Sequence, residues 1–340
     1  MILLLALPAS GAARARDPGA TVPRDTVIEA PSSGAARISD SAATARYPID
    51  DGSGETVAIS VTAACRLSCN ATDPQPIADF LGTLVHGTEM SLLTVQLDTP
   101  SQLEFECGYG ALACYYASES KAVISGDGAL SPEGATREFV LAHEYGHHLA
   151  SRRESPPPFP PAIDWGTPRW ASYENVCRRT RGGGLFAGSN GLHYFRDPGE
   201  AFAESFAFLR FPDSGVRWRW VDALEPDAGA FAAIREDALD PWSGRKAFGL
   251  RGRLPARREG AAVRTFATPL DGTVSLRPAG RPQYGLSLLN PAGRVLRTSR
   301  HGLSFGHRLN FTVCGQSRLR VAIRPRRSAP GAFKLQVQRP

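Results

Sequence analysis

The sequence predicts an α+β fold that is followed by a small all-β sandwich. In the first part of the chain, short apolar strands alternate with segments that have helical periodicity. From residue 254 onward, short alternating runs are separated by Gly and Pro, which is typical of a sandwich. The chain has 340 residues, 42% of them hydrophobic, which exceeds the size of one ordinary domain. We therefore expect two globular units.

The beginning of the chain predicts a secretory signal. Met1–Pro8 is apolar and is followed by small residues and by Ala13-Arg14-Ala15, which is similar to an A-x-A cleavage site. The apolar run is far shorter than the roughly 20 residues that span a bilayer, so we predict no membrane span. We expect a signal peptide at 1–15, with a buried amino-terminal strand as the alternative. A disordered arm or pro-segment follows at 16–54, and order begins near Glu55.

The elements of the first unit, residues 55–240, follow from apolar periodicity and from capping residues. In order, we predict a strand at Thr56–Thr62, a helix at Ile77–Val85, a strand at Leu92–Leu97, a strand or hairpin at Tyr115–Ser125, and helices at Ser131 to about Arg153, Asp197 to about Arg210, and Pro226–Leu239. A long irregular stretch rich in Pro and Gly separates the helix near Arg153 from the helix at Asp197. Loops of this length in compact domains are usually functional or mobile.

The second unit is predicted at 254–340, after a linker at 241–253 that contains Gly and Pro. Its predicted strands are Thr273–Leu276, Tyr284–Leu289, Arg308–Val313, Arg318–Ile323 and Phe333–Val337. Because none of the candidate site residues lies in this region, we predict a separable unit without catalytic groups. A disulfide between Cys177 and Cys314 would instead attach it to the first unit.

Cysteine usage predicts disulfides rather than a thiolate metal site. The chain has six Cys residues and no Cys-x-x-Cys pair; they are Cys65, Cys69, Cys107, Cys114, Cys177 and Cys314. We expect three disulfides, of which Cys107–Cys114, around a Gly-rich turn, is the pair that the sequence favours. Disulfides persist in oxidising compartments, so they agree with an extracellular or periplasmic location.

The positive charge is concentrated in the second unit. The net charge is +6, yet residues 245–340 contain 20 Lys or Arg against 2 Asp or Glu. Such a region is either a solvated basic surface or a contact for an anionic cell-surface polymer. No nucleic-acid-binding motif accompanies the charge, so we do not expect nucleic acid as a partner.

The strongest chemical signal is the sequence His143-Glu144-Tyr145-Gly146-His147 inside a predicted helix. Residues four apart lie on one helical face, about 5 to 6 Å between Cβ atoms, so both imidazoles can bind one tetrahedral zinc ion. Glu144 then lies beside the metal's fourth ligand, a water. The alternative is a pair of core histidines with satisfied hydrogen bonds. His148 is outside this register, and we interpret it as structural.

The third ligand must come from another segment. Asp197-Pro198-Gly199-Glu200 opens a largely apolar helix and is followed one turn later by Glu204. Burying two carboxylates in such a helix is costly unless each has a cation or donor, which a metal ion and its histidines would supply. The alternative is that Asp197 and Glu200 only form a capping box.

These two motifs, HEYGHH and EAFAE, resemble those of gluzincin-type zinc metallopeptidases, especially the group similar to the catalytic domain of anthrax lethal factor and bacterial neutral zinc metallopeptidases. The resemblance covers Ala113–Arg210 and implies a zincin-like domain with one zinc ion per chain. It implies that Glu200 binds zinc and that Glu204 supports a ligand histidine. It also implies that Ala113–Ser125 forms an edge strand that holds an extended substrate.

The resemblance further implies a tyrosine that stabilises the oxyanion, seven residues before the ligand Glu. This chain has His193 at that position and Tyr194 next to it, so both are candidates. More weakly, Gly331–Val337 resembles the end of the bacterial pre-peptidase C-terminal β-sandwich through its Gly-x-Phe-x-Leu-x-Val pattern.

Together these features predict a secreted zinc metalloendopeptidase that hydrolyses a protein or peptide substrate. His143, His147 and Glu200 hold zinc, and Glu144 is the general base. The alternative function is a binding protein without activity, in which a structural zinc ion supports the fold and the basic sandwich contacts a surface.

Overall fold

The computed structural model describes residues 26–28, 44–70, 72–127, 134–189, 191–256, 260–279, 284–299, 308–315, 317–326 and 331–340, with only the backbone for 26–28. The predicted signal peptide at 1–15 lies outside these residues. The described part of the chain is α+β, with helices and one sheet in its first unit and two further sheets toward its carboxyl end. None of its helices has the length and hydropathy that crossing a bilayer would require.

The strands and helices have the following bounds. The strands are β1 (Thr26–Ile28), β2 (Thr44–Pro48), β3 (Thr56–Val61), β4 (Thr94–Asp98), β5 (Ala113–Tyr116), β6 (Lys121–Ser125), β7 (Lys246–Leu254), β8 (Ala262–Thr268), β9 (Gly272–Pro278), β10 (Tyr284–Leu289), β11 (Val295–Thr298), β12 (Leu309–Val313), β13 (Ser317–Pro325) and β14 (Gly331–Arg339). The helices are α1 (Ala63–Ser68), α2 (Gln75–Gly82), α3 (Pro100–Cys107), α4 (Arg137–Ser151), α5 (Ala162–Trp165), α6 (Pro168–Tyr173), α7 (Val176–Arg181), α8 (Pro198–Arg210) and α9 (Ala228–Leu239).

The first unit is built on a six-stranded sheet with the order β1-β5-β6-β4-β3-β2. Strands β3, β4 and β6 are parallel neighbours, whereas β5 pairs antiparallel with β6 as a hairpin. Nearly every residue of β3 and β6 is buried, which agrees with parallel strands in the middle of a sheet. Helix α4 lies against β5 and β6 and also packs on α8. This arrangement places the HEYGH helix between the sheet and the helix that carries Glu200.

The second unit consists of two antiparallel four-stranded sheets, with the orders β11-β10-β13-β8 and β12-β9-β14-β7. Alternate side chains of both sheets point inward and form one hydrophobic core, separate from that of the first unit. The main core residues are Leu254, Phe266, Val274, Leu276, Tyr284, Leu286, Leu288, Leu309, Val313, Leu319, Val321, Ile323, Phe333, Leu335 and Val337. The predicted sheet-rich carboxyl region is therefore confirmed.

Order begins earlier than predicted and extends through the predicted linker. Strand β2 lies in the predicted arm at 16–54, where it pairs with β3, and its Tyr47 packs against the core. The predicted linker at 241–253 contains most of β7, which pairs with β14 along its whole length. Phe248 and Leu250 alternate with Gly and Arg in β7, and those intervening residues conceal the strand pattern.

The HEYGH helix begins later than predicted. It was expected to open at Ser131, which lies outside the described residues; α4 begins at Arg137, after Gly134, whose φ of 85° lies in the left-handed region. The Thr136 hydroxyl accepts a hydrogen bond from the Phe139 N–H at 3.2 Å and so caps the helix. Thr136 therefore marks the start of α4.

Three disulfides connect Cys65–Cys69, Cys107–Cys114 and Cys177–Cys314. The expected number and the favoured pair Cys107–Cys114 are confirmed. Cys177 lies in α7 and Cys314 follows β12, so this bond links the two units covalently.

Hydrogen bonds accompany the Cys177–Cys314 link. The Thr273 N–H donates to the Pro157 carbonyl at 2.9 Å, and the Asp271 N–H donates to the Ser172 hydroxyl at 2.8 Å. The sandwich is thus docked on the segment between α4 and α8, in which Pro157 follows α4 and Ser172 lies in α6.

Candidate metal centre

The two histidines of the HEYGH sequence lie on one face of α4. Their Nε2 atoms are 3.1 Å apart and their ring centroids 4.9 Å apart. Both side chains are buried. His143 and His147 therefore converge on one point inside the first unit, as the helical spacing predicts.

Helix α8 brings a carboxylate to the same point. Asp197 caps this helix by accepting a hydrogen bond from the Gly199 N–H at 2.8 Å, and Pro198 occupies the first helical position. The Glu200 Oε2 atom lies 3.5 Å from His143 Nε2 and 3.5 Å from His147 Nε2. Glu200 thus faces the histidines. Its position differs from the alternative in which Asp197 and Glu200 only form a capping box.

His143, His147 and Glu200 form a group that can hold a metal ion, because their donor atoms all lie within 4.8 Å of one another. Glu200 Oε1 is buried and has no hydrogen-bond partner among the described residues. A buried carboxylate oxygen without a partner is costly, and a cation would offset that cost. Two imidazole nitrogens and a carboxylate oxygen are donors that divalent metals accept.

The protonation states favour metal binding. Burial lowers the pKa of His147, an effect that the neighbouring Glu200 opposes, so the imidazole is held in its neutral, ligating form. Burial alone would raise the pKa of Glu200, but the charge that His147 carries when it is protonated at low pH, together with hydrogen bonds from both histidines, lowers it to about 2. A neutral imidazole and an ionised carboxylate are the forms that coordinate a metal.

Glu204 lies one turn further along α8 and contacts His143 from the other side of the ring. Its Oε2 atom is 3.0 Å from His143 Nδ1. A carboxylate at this position orients the imidazole and directs its Nε2 toward the metal position. The two carboxylates of α8 therefore have different partners: Glu200 faces both histidines and Glu204 holds one of them.

The crossing of α4 and α8 depends on small side chains. A Cβ atom at Gly146 would lie 2.8 Å from the Cα atom of Ala203 and 3.1 Å from its carbonyl oxygen. Gly146 lies in the HEYGH sequence, and Ala203 lies between the two carboxylates of α8. The helices therefore approach each other closely beside the residues that form the candidate site.

The structure separates the two oxyanion candidates. The Tyr194 side chain is buried, and its hydroxyl donates to Glu200 Oε2 at 3.2 Å. The His193 ring instead stacks on Phe186, with ring centroids 3.8 Å apart. Tyr194 therefore belongs to the candidate site and His193 does not. Glu144 is completely buried on α4, next to His143.

Several residues around the site carried no signal in the sequence. The Tyr115 hydroxyl lies 2.9 Å from His148 Nδ1, and His148 Nε2 lies 2.8 Å from the Glu89 carbonyl oxygen. Burial lowers the pKa of His148 to about 4. These contacts agree with a structural role for His148. The Tyr115 and Glu89 partners were missed because they come from distant segments.

Strand β5 is not the edge of the sheet in the described residues. Strand β1 pairs with it in parallel, and the Cα partners run from Thr26–Cys114 to Ile28–Tyr116. The expectation of an edge strand at Ala113–Ser125 is therefore corrected: this segment is the β5–β6 hairpin, with β1 outside it. The position beside the site agrees with that expectation, since the Tyr115 ring stacks on His147 at 6.5 Å between centroids.

Comparisons with known proteins do not identify this chain. No family model and no curated protein matches it. Solved structures that match a part of it include infectious bursal disease virus, Gx strain, at 11% identity over 29% of this chain and 31% of that chain, with a TM-score of 0.16. A mutant VP2 protein of that virus, from T=1 particles, matches at 11% identity over 30% and 33%, with a TM-score of 0.15. The chain spans about a third of these structures, and likenesses at this level carry no functional argument.

Proposed function

We propose that this protein is a secreted zinc-dependent metallopeptidase. The observation that carries the proposal is the buried group of His143, His147 and Glu200, with Glu144 next to His143 on the same helix. Within the described residues this group has three donors. Structural zinc sites are usually closed by four protein ligands, whereas catalytic sites have three and leave one position for water or substrate.

The residues of the chain then have separate roles in peptide-bond hydrolysis. Zinc, when bound, lowers the pKa of a water molecule and polarises the scissile carbonyl. Glu144 accepts a proton from the attacking water and transfers it to the leaving amine, so that the C–O bond forms and the C–N bond breaks. The Tyr194 hydroxyl donates a hydrogen bond to the oxyanion, whose charge grows in the transition state. Glu204 keeps His143 in its ligating orientation.

The same proposal covers the location and the substrate. Three disulfides are typical of proteins from oxidising compartments, which supports an extracellular or periplasmic location. The proposed substrate class is a protein or peptide, as the resemblance to zinc metallopeptidases implies. The alternative function is a binding protein on the same scaffold, with zinc as a structural ion.

One experiment distinguishes these functions. Zinc per chain and hydrolysis of an unstructured protein such as casein are measured for the wild type, Glu144→Gln and Glu138→Gln. Glu138 lies in the first turn of the same helix and pairs with Arg137, so it is a matched control. We expect all three forms to bind zinc and Glu144→Gln alone to lose activity, by about 10²- to 10⁴-fold. Zinc binding without activity in the wild type would support the binding protein.

A further inference from the structure

One outer face of the sandwich carries a group of cations. In the sheet β12-β9-β14-β7, the inward side chains of each strand form the core, so alternate residues point outward. Arg251 and Arg253 of β7, Arg277 of β9 and Lys334 of β14 occupy outward positions, and all four are exposed. We call these four residues the basic face.

Strand pairing places the four cations close together. On one side of β14, Lys334 is the register partner of Arg251 in β7. On the other side of β14, Gln336 is the register partner of Arg277 in β9. Arg253 lies two residues beyond Arg251 on the same strand. The basic face covers only three adjacent strands. Neighbouring strands are about 4.8 Å apart, so the four cations lie on a narrow surface.

The charge of the basic face is not compensated within the described residues. Residues 245–340 contain only two acidic residues. Asp271 is buried at the junction between the units, and Glu259 lies outside the described residues. Each ion pair found in the described chain involves residues of the first unit, at positions 51–240.

Like charges directly opposite one another, such as Arg251 and Lys334, destabilise a sheet. The fold therefore gains nothing from this arrangement.

The outward side chains beside the cations are mostly small. Outward positions beside them hold Ala247, Gly249, Ala332 and the amide of Gln336. A Cβ atom at Gly249 would meet nothing within 4 Å, so the surface is open there. The outward positions of β7, β9 and β14 offer no aromatic ring on which a base could stack and no large apolar side chain that could insert into a lipid layer.

From this geometry we propose that the basic face binds a linear anionic polysaccharide whose charges are carboxylates or sulfates. Guanidinium groups bind such oxygens through two parallel hydrogen bonds, and cations spread over three strands match a chain with repeated charges. Small neighbouring side chains and the open space at Gly249 leave room for an extended polymer. The three disulfides agree with an extracellular setting in which such polymers occur. The proposal is independent of the metal centre, because the basic face lies entirely on the sandwich.

The test is binding of the full-length protein to heparin, as the sulfated probe, and to polygalacturonate, as the carboxylated probe. The test variant is Arg251→Ser/Arg277→Ser. The matched control is Arg318→Ser/Arg324→Ser, which removes the same charge from exposed positions of β13 in the opposite sheet. We expect the dissociation constant to rise at least 10-fold in the test variant and less than 3-fold in the control. Binding should weaken with salt, because screening acts on exposed charges.

A second variant, Arg251→Lys/Arg277→Lys, retains the charge and should bind better than the Ser variant. Equal losses in the test and control variants would overturn the proposal, since net charge alone would then explain binding. Tighter binding of the wild type to single-stranded DNA or to anionic phospholipid vesicles than to both polysaccharides would also overturn it. Zinc content and casein hydrolysis should be unchanged in all variants, which separates this test from that of the metallopeptidase.

Discussion

At the scale of single residues, the candidate site depends on two carboxylates of α8, Glu200 and Glu204, for which the sequence motif implies different roles and which contact different imidazole nitrogens in the structure. Glu200 lies 3.5 Å from both histidine Nε2 atoms, whereas Glu204 contacts only His143 Nδ1, at 3.0 Å. The proposed ligand Glu200 and the proposed supporting residue Glu204 therefore differ in which imidazole nitrogen they face.

This difference predicts the metal content of two variants. Glu200→Ala removes a donor, so we expect most of the zinc to be lost. Glu204→Ala leaves all three donors and should weaken zinc affinity by about 10- to 100-fold. Elemental analysis after dialysis against a graded series of chelator concentrations measures both effects. Full zinc in Glu200→Ala together with loss in Glu204→Ala would reverse the two assignments.

A second residue-scale prediction concerns Tyr194, the proposed oxyanion donor. Tyr194→Phe removes the hydroxyl that reaches Glu200, and we expect kcat for peptide hydrolysis to fall by about 10²- to 10³-fold. His193→Ala, the matched control, should change kcat little, because the His193 ring stacks on Phe186 away from the site. Steady-state kinetics at matched zinc content measures both. A larger loss in His193→Ala than in Tyr194→Phe would contradict the placement of these side chains.

At the scale of secondary-structure elements, the site depends on how closely α4 approaches α8. Each helix presents its functional residues by simple periodicity, but the distance between the helices follows from the absence of a side chain at Gly146. The same glycine lowers the intrinsic helix propensity of α4 by about 1 kcal/mol relative to alanine. Packing therefore outweighs propensity at this position.

We predict that Gly146→Ala destabilises the protein even though alanine favours helices. The added methyl group would contact the Ala203 backbone at 2.8 Å, and overpacking of this kind costs about 1 to 3 kcal/mol. Gly182→Ala is the control, since a Cβ atom there would meet its nearest neighbour at 3.5 Å. Urea unfolding gives the free energy of unfolding for both variants. A Gly146→Ala variant as stable as the wild type would show that the helices can separate at no cost.

At the scale of the whole molecule, the sandwich is attached to the first unit rather than connected only by a linker. The Cys177–Cys314 bond joins residues 137 positions apart, and the Thr273 and Asp271 amides donate across the junction. That the sandwich can be separated from the first unit, as the sequence predicts, stays a prediction.

The long disulfide loop predicts a measurable difference in stability. Cys177→Ser/Cys314→Ser should lower the free energy of unfolding by about 3 to 5 kcal/mol, because the bond restricts a long loop of the unfolded chain. Cys65→Ser/Cys69→Ser is the control; its bond spans 4 positions and should contribute about 2 kcal/mol or less. Chemical denaturation under oxidising conditions measures both. Equal losses would mean that the attachment of the sandwich does not constrain the unfolded chain.

The sequence by itself determined those features that depend on local periodicity. The spacing of His143 and His147 placed them on one helical face, and the cap at Asp197 placed the start of α8. Alternation identified most of the sandwich strands and the β5–β6 hairpin. These predictions succeeded because helix and strand periods and capping bonds involve residues that are close along the chain.

The tertiary structure decided what depends on contacts between distant residues. Glu204 and His143 are 61 positions apart, and which carboxylate meets which imidazole nitrogen follows from the crossing of two helices. Tyr194 and His193 are adjacent in sequence, yet they have different contacts. The Tyr194 hydroxyl donates to Glu200, whereas the His193 ring stacks on Phe186. The basic face likewise appears only when strand register brings Arg251, Lys334 and Arg277 onto one surface. Such pairings arise from packing between elements, which no local sequence pattern encodes.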